Sequence, residues 1–220
     1  MNLFVLIPAY NAADTLPAVI ERTTRSVSPE QIIVVNDGST DATGSIASSR
    51  GVIAVHHQQN KGKGAALQSG FDEALKRNCD AVLTMDADLQ HQPEDIPRFL
   101  ALYTLSRYDV IIGSRLHHMK GMPIHRMLSN TITTTLVRLR TGASIADSQS
   151  GFRFIVRRVL QRIRLESTGF EAETEFLIKA ARSGFSIGSI PIETVYANER
   201  SHMTHFSTTI NFIKILFKQY

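Results

Sequence analysis

Residues 81–90 read AVLTMDADLQ, an apolar run that passes directly into two aspartates and a glutamine. Short apolar runs bounded by Gly, Asn or Asp are typical of strands that are buried on both faces of a sheet. Similar runs recur along the chain, with amphipathic segments between them. This alternation predicts an α/β domain in which helices flank a mostly parallel sheet.

The alternation is regular as far as residue 115 and irregular after it. The predicted strands are 3–7, 31–36, 52–57, 81–86 and 109–114. The predicted helices between them are 13–26, 40–49, 63–76 and 94–105. Beyond them we expect a loop over 115–125, a helix over 125–140, a turn-rich stretch to 151, helices over 157–164 and 171–183, a short strand over 186–191 and an irregular segment over 193–204.

Charge is distributed unevenly along the 220 residues, whose formal net charge is +4. Residues 1–97 carry 7 basic and 12 acidic side chains, whereas residues 98–220 carry 17 and 8. A basic half is compatible with nucleic acid, anionic lipid, a phosphorylated substrate or a solvated surface. The basic residues are scattered without interleaved aromatic residues, which argues against a nucleic-acid track.

The composition excludes several other classes of protein. A single cysteine, Cys79, excludes an internal disulfide and a Cys-based zinc cluster. No basic leader precedes the first apolar run, so we expect no secretory signal. No stretch approaches the ~18–20 consecutive apolar residues that a membrane-spanning helix needs. The chain is therefore expected to be soluble or to lie on a membrane surface.

Asp86, Asp88 and Gln90 follow a predicted buried strand directly. Ligands of open α/β sheets collect at the carboxyl ends of strands, where these side chains would lie. Two carboxylates and an amide suit Mg²⁺ or Mn²⁺, since hard cations prefer oxygen ligands and leave positions for substrate phosphates. The alternative is an Asp-rich turn that caps the helix beginning near Glu94.

Two further strand ends bring polar residues to the same predicted edge, in PAYN at 8–11 and NDGSTD at 36–41. Asp37 could accept hydrogen bonds from a nucleobase, and Tyr10 could stack on the base. Gly38 would let a ligand approach the backbone closely. Together the three strand ends predict a nucleotide pocket.

These motifs also carry a family resemblance. IPAYNAADTL, IIVVNDGSTDAT, NKGKGAALQSGF and MDADLQHQPEDI resemble the inverting family 2 glycosyltransferases of the GT-A fold. IIGSR, DSQSGFR and FEAETEF extend the resemblance over nearly the whole chain, and its most specific parts resemble the branch that glycosylates polyprenyl phosphates. The resemblance implies a GT-A catalytic domain over 1–205, with a donor-nucleotide half (1–97) and an acceptor half (98–205), and an amphipathic tail helix over 206–220.

The resemblance also implies roles for individual residues on the donor side. By the resemblance, the metal would be bound by Asp86, Asp88 and Gln90. The nucleotide sugar would be bound by Pro8, Tyr10, Asn11, Asp37, Gly38, Lys63, Asp86, Ala87, Asp88 and Arg200. As a lone arginine in an irregular segment, Arg200 could equally be a surface residue.

Arg115, Arg126 and Asp147 are the candidates on the acceptor side. Guanidinium groups suit phosphate oxygens because they stay ionised and donate in a bidentate fork. The resemblance implies that Arg115 and Arg126 clamp the lipid phosphate and the donor diphosphate, the alternative being two solvated surface arginines. Asp147 would be a general base for a hydroxyl acceptor or an orienting group for a phosphate, with a helix N-cap as the competing interpretation.

Acidic residues also begin the helix predicted over 171–183, where carboxylates favour the positive end of the helix dipole. The resemblance places Glu173 and Glu175 near the acceptor pocket, and Glu173 is the preferred site candidate. The apolar stripe in the tail is more typical of core packing than of membrane contact, although a lipid acceptor favours the membrane. Its members are Phe206, Ile210, Ile213 and Phe217.

The sequence thus predicts a metal-dependent hexosyltransferase. It would move mannose or glucose from a nucleoside diphosphate sugar to a polyprenyl phosphate at the cytoplasmic face of a membrane. The sequence leaves open whether the protein is a monomer, a homo-oligomer or the partner of a membrane-spanning protein. One alternative is transfer to a saccharide hydroxyl in glycan synthesis. Another is a noncatalytic protein that binds a nucleotide sugar or nucleic acid.

Overall fold

The computed structural model describes residues 1–115, 124–193 and 212–218, with only the backbone at 124–126. The strands are β1 (Leu3–Ala9), β2 (Ile32–Asn36), β3 (Ile53–His56), β4 (Ala81–Thr84), β5 (Val110–Ser114), β6 (Arg153–Val156) and β7 (Ile187–Pro191). The α-helices are α1 (Leu16–Thr23), α2 (Thr43–Ser49), α3 (Lys63–Lys76), α4 (Ile96–Ser106), α5 (Ile124–Thr141), α6 (Arg157–Arg162) and α7 (Ala172–Arg182), with a further helical segment at 212–217.

The strands form one sheet in the order β3-β2-β1-β4-β6-β5-β7. β6 runs antiparallel to β4 and β5, and the other neighbouring strands are parallel. β1, β2, β4, β5 and β6 are almost entirely buried because helices cover the sheet. This confirms the predicted α/β class and brings the carboxyl ends of β1, β2, β4 and β5 to one edge.

β6 lies between the predicted turn-rich stretch and the helix predicted from 157, and it is the one strand that the periodicity did not indicate. Its four residues contain an arginine, Arg153, and follow directly on a turn. They become a strand because Phe154 and Ile155 pair with β4 on one side and β5 on the other. The run is four residues long, contains a cation and passes directly into α6, so the periodicity did not single it out.

α1 and α2 begin three residues later than predicted, at Leu16 and Thr43. The amide of Ala13 donates to Asp41 Oδ2 at 3.1 Å, and the amide of Ala12 donates to the Thr43 hydroxyl at 2.8 Å. Asp41 Oδ1 also accepts from the Thr43 amide at 2.9 Å. These side chains satisfy the backbone just before each helix, and they join the loops after β1 and β2.

The helical segment at 212–217 packs on the domain through a different face from the predicted stripe. Ile215 and Leu216 are its buried side chains, whereas Ile213 and Phe217 are exposed. Phe206 and Ile210 lie outside the described residues. The core-packing interpretation is therefore wrong for Ile213 and Phe217. Nowhere in the described ranges is there a helix long and apolar enough to cross a membrane.

Candidate active site

Asp37 lies at the end of β2, and its buried carboxylate holds the loop that leads into α3. Its Oδ1 is hydrogen-bonded to His57 Nδ1 at 2.6 Å and accepts from the Lys61 amide at 2.9 Å. Its Oδ2 accepts from the Gly62 amide at 2.8 Å. The residue predicted to meet a nucleobase thus already has three donors from its own chain.

Gly38 has a φ of +67°, in the left-handed region that favours glycine. A Cβ at this position would lie 2.2 Å from the Gln59 carbonyl carbon and 2.4 Å from the Asn60 nitrogen. The close approach at Gly38 is made by the loop before α3, and the predicted approach of a ligand stays a prediction.

Tyr10 and Asn11 form the rim at the end of β1. The Asn11 amide donates to Ser39 Oγ at 3.0 Å, and Asn11 Oδ1 accepts from the Thr40 amide at 2.9 Å. Tyr10 is 41% exposed beside this cross-bonded rim, while Pro8 is partly buried within β1. A ring exposed on a rigid rim is available for stacking.

Lys63, Asp86 and Glu173 come together from α3, the end of β4 and the start of α7. Lys63 Nζ lies 2.6 Å from Asp86 Oδ1 and 2.9 Å from Glu173 Oε1. Burial acts to lower the pKa of Lys63, but the two carboxylates outweigh it and raise that pKa above its ordinary value. Burial likewise acts to raise the pKa of Asp86, yet Lys63 brings it down to about 2. We call these three side chains the Lys63 cluster.

Gly151 packs against the carboxylates of the Lys63 cluster. A Cβ there would lie 2.7 Å from Glu173 Oε1 and 3.1 Å from Asp86 Oδ2. Its carbonyl accepts from the Thr84 hydroxyl at 2.6 Å, which fixes the backbone against β4. Sequence reasoning did not select Gly151, although DSQSGFR contains it.

Arg153 is a buried cation beneath the site, and sequence reasoning also missed it. Its guanidinium donates to the carbonyls of Ser150 at 2.8 Å, Ser148 at 3.1 Å and Glu173 at 2.7 Å. Burial lowers the pKa of Arg153. The residue joins the turn before β6 to the start of α7. A lone arginine in the apolar run FRFIV was the available signal.

His91 fixes the backbone of the DADLQH turn. The Asp86 amide donates to His91 Nδ1 at 3.1 Å, and the ring stacks on Phe152 with centroids 5.0 Å apart. Burial lowers the pKa of His91 to about 4, so the imidazole is neutral at pH 7. The same turn is tightened where Asp88 Oδ1 accepts from the Gln90 amide at 3.0 Å.

Arg115 and Asp147 form a two-pronged ion pair at the end of β5. Arg115 Nε lies 2.8 Å from Asp147 Oδ2, and Nη2 lies 3.1 Å from Oδ1, which also accepts from the Gln149 amide at 3.0 Å. Burial of Asp147 acts to raise its pKa, but Arg115 holds that pKa below its ordinary value. Asp147 does not cap a helix, because residues 148–152 form a turn into β6.

Residues 4–164 match the family described as Glycosyl transferase family 2. The chain belongs to this family. It is 32% identical over 86% of its length to the polyprenol monophosphomannose synthase of Mycolicibacterium smegmatis, covering 75% of that protein. It is 30% identical over 88% of its length to the UDP-N-acetylglucosamine--dolichyl-phosphate N-acetylglucosaminyltransferase of Methanococcus voltae, covering 86% of that protein. The predicted family and branch are confirmed.

A solved structure confirms that this glycosyltransferase has the GT-A fold. Glucosyl-3-phosphoglycerate synthase from Mycobacterium tuberculosis, in complex with Mn²⁺, UDP and glucosyl-3-phosphoglycerate, superposes with a TM-score of 0.75 at 21% identity. The superposition covers 97% of this chain and 77% of that one.

The donor atoms at the end of β4 fit a divalent cation. Within the described ranges, no three His, Cys, Asp or Glu side chains form a ready cluster. Asp86 and Asp88 nevertheless supply carboxylate oxygens and Gln90 an amide oxygen, the ligand types that Mg²⁺ and Mn²⁺ take together with substrate and water oxygens. The pKa of about 2 keeps Asp86 ionised, as a ligand must be.

Some of the remaining predicted site residues lie within the described part of the chain and others lie outside it. Ala87 is buried between the two aspartates. Glu175 faces away from Lys63, because its two oxygens accept from the amides of Glu166 at 2.9 Å and Ser167 at 2.8 Å. The Arg126 side chain and all of Arg200 lie outside the described residues.

Proposed function

We propose that this glycosyltransferase moves a hexose, mannose or glucose, from a nucleoside diphosphate sugar to a polyprenyl phosphate, with inversion at the anomeric carbon. The observation that carries the proposal is the pairing of two charge systems at one sheet edge. The Lys63 cluster lies at the end of β4, and the Arg115–Asp147 pair lies at the end of β5. The names of the two relatives support the same donor and acceptor classes.

The donor would lie along the ends of β1, β2 and β4, with its base near Tyr10. Lys63 is suited to the diphosphate, because its ammonium already lies 2.6 Å from Asp86 and stays protonated at neutral pH. Asp86, Asp88 and Gln90 would hold Mg²⁺ or Mn²⁺, which when bound neutralises charge on the departing diphosphate. Bound in this way, the donor would present its anomeric carbon toward β5.

Of the two groups at the end of β5, Arg115 is the one suited to an anionic acceptor, because its guanidinium is partly exposed whereas the Asp147 carboxylate is fully buried. A phosphate oxygen of the acceptor forms the new bond to the anomeric carbon as the bond to the diphosphate oxygen breaks. The nucleoside diphosphate leaves with that electron pair, and no proton has to be abstracted.

A saccharide hydroxyl would need a general base at the same place. Asp147 is a weak base, because Arg115 holds its pKa below the ordinary value. Glu173 is already bound to Lys63 at 2.9 Å. These contacts favour the phosphate acceptor, and we propose a protein that works at a membrane surface.

The decisive experiment measures transfer by mass spectrometry with Mn²⁺ or Mg²⁺, from several nucleoside diphosphate hexoses to a polyprenyl phosphate in detergent. For Asp88→Asn we expect transfer to fall about 10²–10³-fold, because a charge that stabilises the transition state is lost. The exposed Asp14→Asn variant on the same rim is the control and should transfer normally.

Binding of the metal can be measured apart from transfer. Mn²⁺ at about 100 times its Kd should stabilise the wild type by about 2.7 kcal/mol in thermal unfolding, and Asp88→Asn should lose this stabilisation. Undiminished transfer by Asp88→Asn would defeat the metal assignment. Transfer to saccharides alone would defeat the lipid acceptor.

A further inference from the structure

Within the described part of the chain, three donors occupy the carboxylate of Asp37. A carboxylate can only accept hydrogen bonds when ionised, with about two lone pairs on each oxygen. Oδ1 is hydrogen-bonded to His57 Nδ1 at 2.6 Å and accepts from the Lys61 amide at 2.9 Å, so both of its lone pairs are used. Oδ2 accepts from the Gly62 amide at 2.8 Å. One acceptor site, on Oδ2, is therefore left for a ligand.

His57 is held in the orientation that keeps Oδ1 occupied. Because an ionised carboxylate only accepts, the imidazole carries a hydrogen on Nδ1, and Nε2 of the neutral ring accepts from the Ser69 hydroxyl at 2.9 Å. The His57 amide also donates to the Asn36 carbonyl at 2.9 Å. The side chains of His57 and Asp37 are only 6% and 4% exposed. A ligand could not displace the imidazole without breaking this chain of hydrogen bonds.

Asp37 lies next to the rim that carries Tyr10. The Asp37 amide donates to the Ala9 carbonyl at 2.9 Å, which joins the ends of β2 and β1. Tyr10 directly follows Ala9 and is 41% exposed. A base stacked on Tyr10 would therefore turn one edge toward Asp37, and the open site on Oδ2 is the acceptor that this edge would meet.

Nucleobases differ in the donors that such an edge offers. Uracil and thymine have a single ring N–H, at N3, between two carbonyl oxygens. Guanine has two adjacent donors, N1–H and N2–H, which pair with the two oxygens of one carboxylate. Adenine and cytosine have no ring N–H on this edge. One open site on Asp37 matches the single N3–H, whereas guanine would leave one donor without an acceptor there.

We propose that the sugar donor is a uridine or thymidine diphosphate sugar and that His57 is the positioning residue that enforces this choice. N3–H of the base would donate to Asp37 Oδ2. Guanine would be disfavoured because His57 occupies the place on Oδ1 that its second donor needs. The inference rests on the proposed nucleotide-sugar donor and names its base, and it does not depend on the acceptor.

The test is calorimetric titration of the full chain with nucleoside diphosphates, with Mn²⁺ present and no acceptor. We expect UDP to bind about 10- to 100-fold more tightly than GDP, the range that one hydrogen bond to a charged group supplies. 3-Methyluridine diphosphate, which lacks N3–H, should lose about the same factor. 5-Methyluridine diphosphate has its methyl group on the other edge, keeps N3–H as thymine does, and should bind as UDP does.

Variants of His57 test its role. His57→Ala frees the site on Oδ1 and should reduce the preference for UDP over GDP about 10-fold. His57→Asn should keep the wild-type preference, because its amide nitrogen can donate in place of Nδ1. His56→Ala is the matched control, since His56 contacts Asn36 at 3.2 Å and Ser48 at 3.1 Å. The ratio of two affinities in one folded variant reports on the base and is not moved by a loss of stability alone.

The outcomes separate this inference from the proposed function. GDP binding as tight as UDP binding would overturn the choice of base. An unchanged preference in folded His57→Ala would overturn the role of His57, and His57→Phe, which cannot donate, replaces that variant if it does not fold. UDP binding without transfer to polyprenyl phosphate would refute only the proposed function. Absence of any nucleotide binding would refute both.

Discussion

Two ion-pair systems lie at the same sheet edge and differ in kind. In the Lys63 cluster one ammonium serves two carboxylates, Asp86 and Glu173, and Asp86 stays partly open to solvent. In the other, the Arg115 guanidinium donates from Nε and Nη2 to the two carboxylate oxygens of Asp147, which is fully buried. We call Arg115 and Asp147 the matched pair. Lys63 can exchange one carboxylate for another anion and keep the second as its counter-ion, whereas Asp147 is fully buried and its pair with Arg115 is costly to break.

The difference distinguishes a cluster whose ion pairs can be exchanged from a pair whose side chains stay in place. Lys63 can move its contacts between carboxylate and phosphate because either carboxylate suffices to balance it. Arg115 instead connects the end of β5 to the turn before β6, because its backbone amide and its guanidinium both donate to Asp147. We infer that the Lys63 cluster responds to the donor and that the Arg115–Asp147 pair keeps its geometry through turnover.

The largest expected effect comes from breaking the matched pair. Asp147→Asn should lower the free energy of unfolding by about 3 kcal/mol, because the two-pronged ion pair between Arg115 and the fully buried Asp147 carboxylate is lost. Glu173→Gln should cost only about 1 kcal/mol, because Lys63 keeps Asp86 as its counter-ion and the repulsion between the two carboxylates is relieved. Urea unfolding of both variants measures the contrast. Equal losses would show that the two systems contribute equally to stability and would remove the contrast between them.

The second effect concerns turnover and acts on the Lys63 cluster alone. Gly151→Ala would place a Cβ 2.7 Å from Glu173 Oε1 and 3.1 Å from Asp86 Oδ2, so the carboxylates must move. A displacement of about 1 Å at a catalytic group costs about 10²-fold in rate. We therefore expect kcat to fall about 100-fold in a folded protein, as measured by transfer and circular dichroism.

Gly142→Ala is the control for Gly151→Ala. Gly142 has a φ of +68°, and a Cβ at this position would have no described atom within 4 Å, so alanine brings backbone strain without a clash. It should cost about 1 kcal/mol of stability and leave kcat unchanged. Normal turnover by Gly151→Ala would mean that the cluster tolerates displacement.

The same contrast explains which parts could be predicted from sequence. The edge of the sheet that carries the polar motifs was predictable because each motif directly follows its own strand, and AVLTM followed by DADLQ indicates both the strand and the carboxylates at its end. Lys63 and Glu173 were named but assigned to opposite halves, since only the packing of α7 against α3 brings them within 2.9 Å. β6 was missed because its four residues include Arg153 and run directly into the helix predicted from 157.

Arg153 and His91 were missed for a related reason. Their roles consist of contacts to backbone atoms, the Glu173 carbonyl for Arg153 and the Asp86 amide for His91. Residue type indicates a charged or aromatic side chain but not which backbone group it meets. Motifs therefore predict groups that face a ligand better than groups that hold the site together.

The smallest expected effect is a change of stability with pH. It tests whether the charge of Asp147 alone accounts for the stabilisation by the Arg115–Asp147 pair. Because the pKa of Asp147 is lower in the folded protein than its ordinary 3.8, the pair stabilises the fold fully above that value. The contribution is lost as the pH falls through the lower folded pKa, where a protonated Asp147 comes to resemble asparagine. The Tm difference between wild type and Asp147→Asn should thus be constant above about pH 5 and shrink toward pH 3. A Tm difference that persists unchanged at pH 3 would assign the lost stability to poorer packing of the asparagine amide and not to the lost charge. The contrast between Lys63, shared by two carboxylates, and Arg115, paired with one, would then no longer stand.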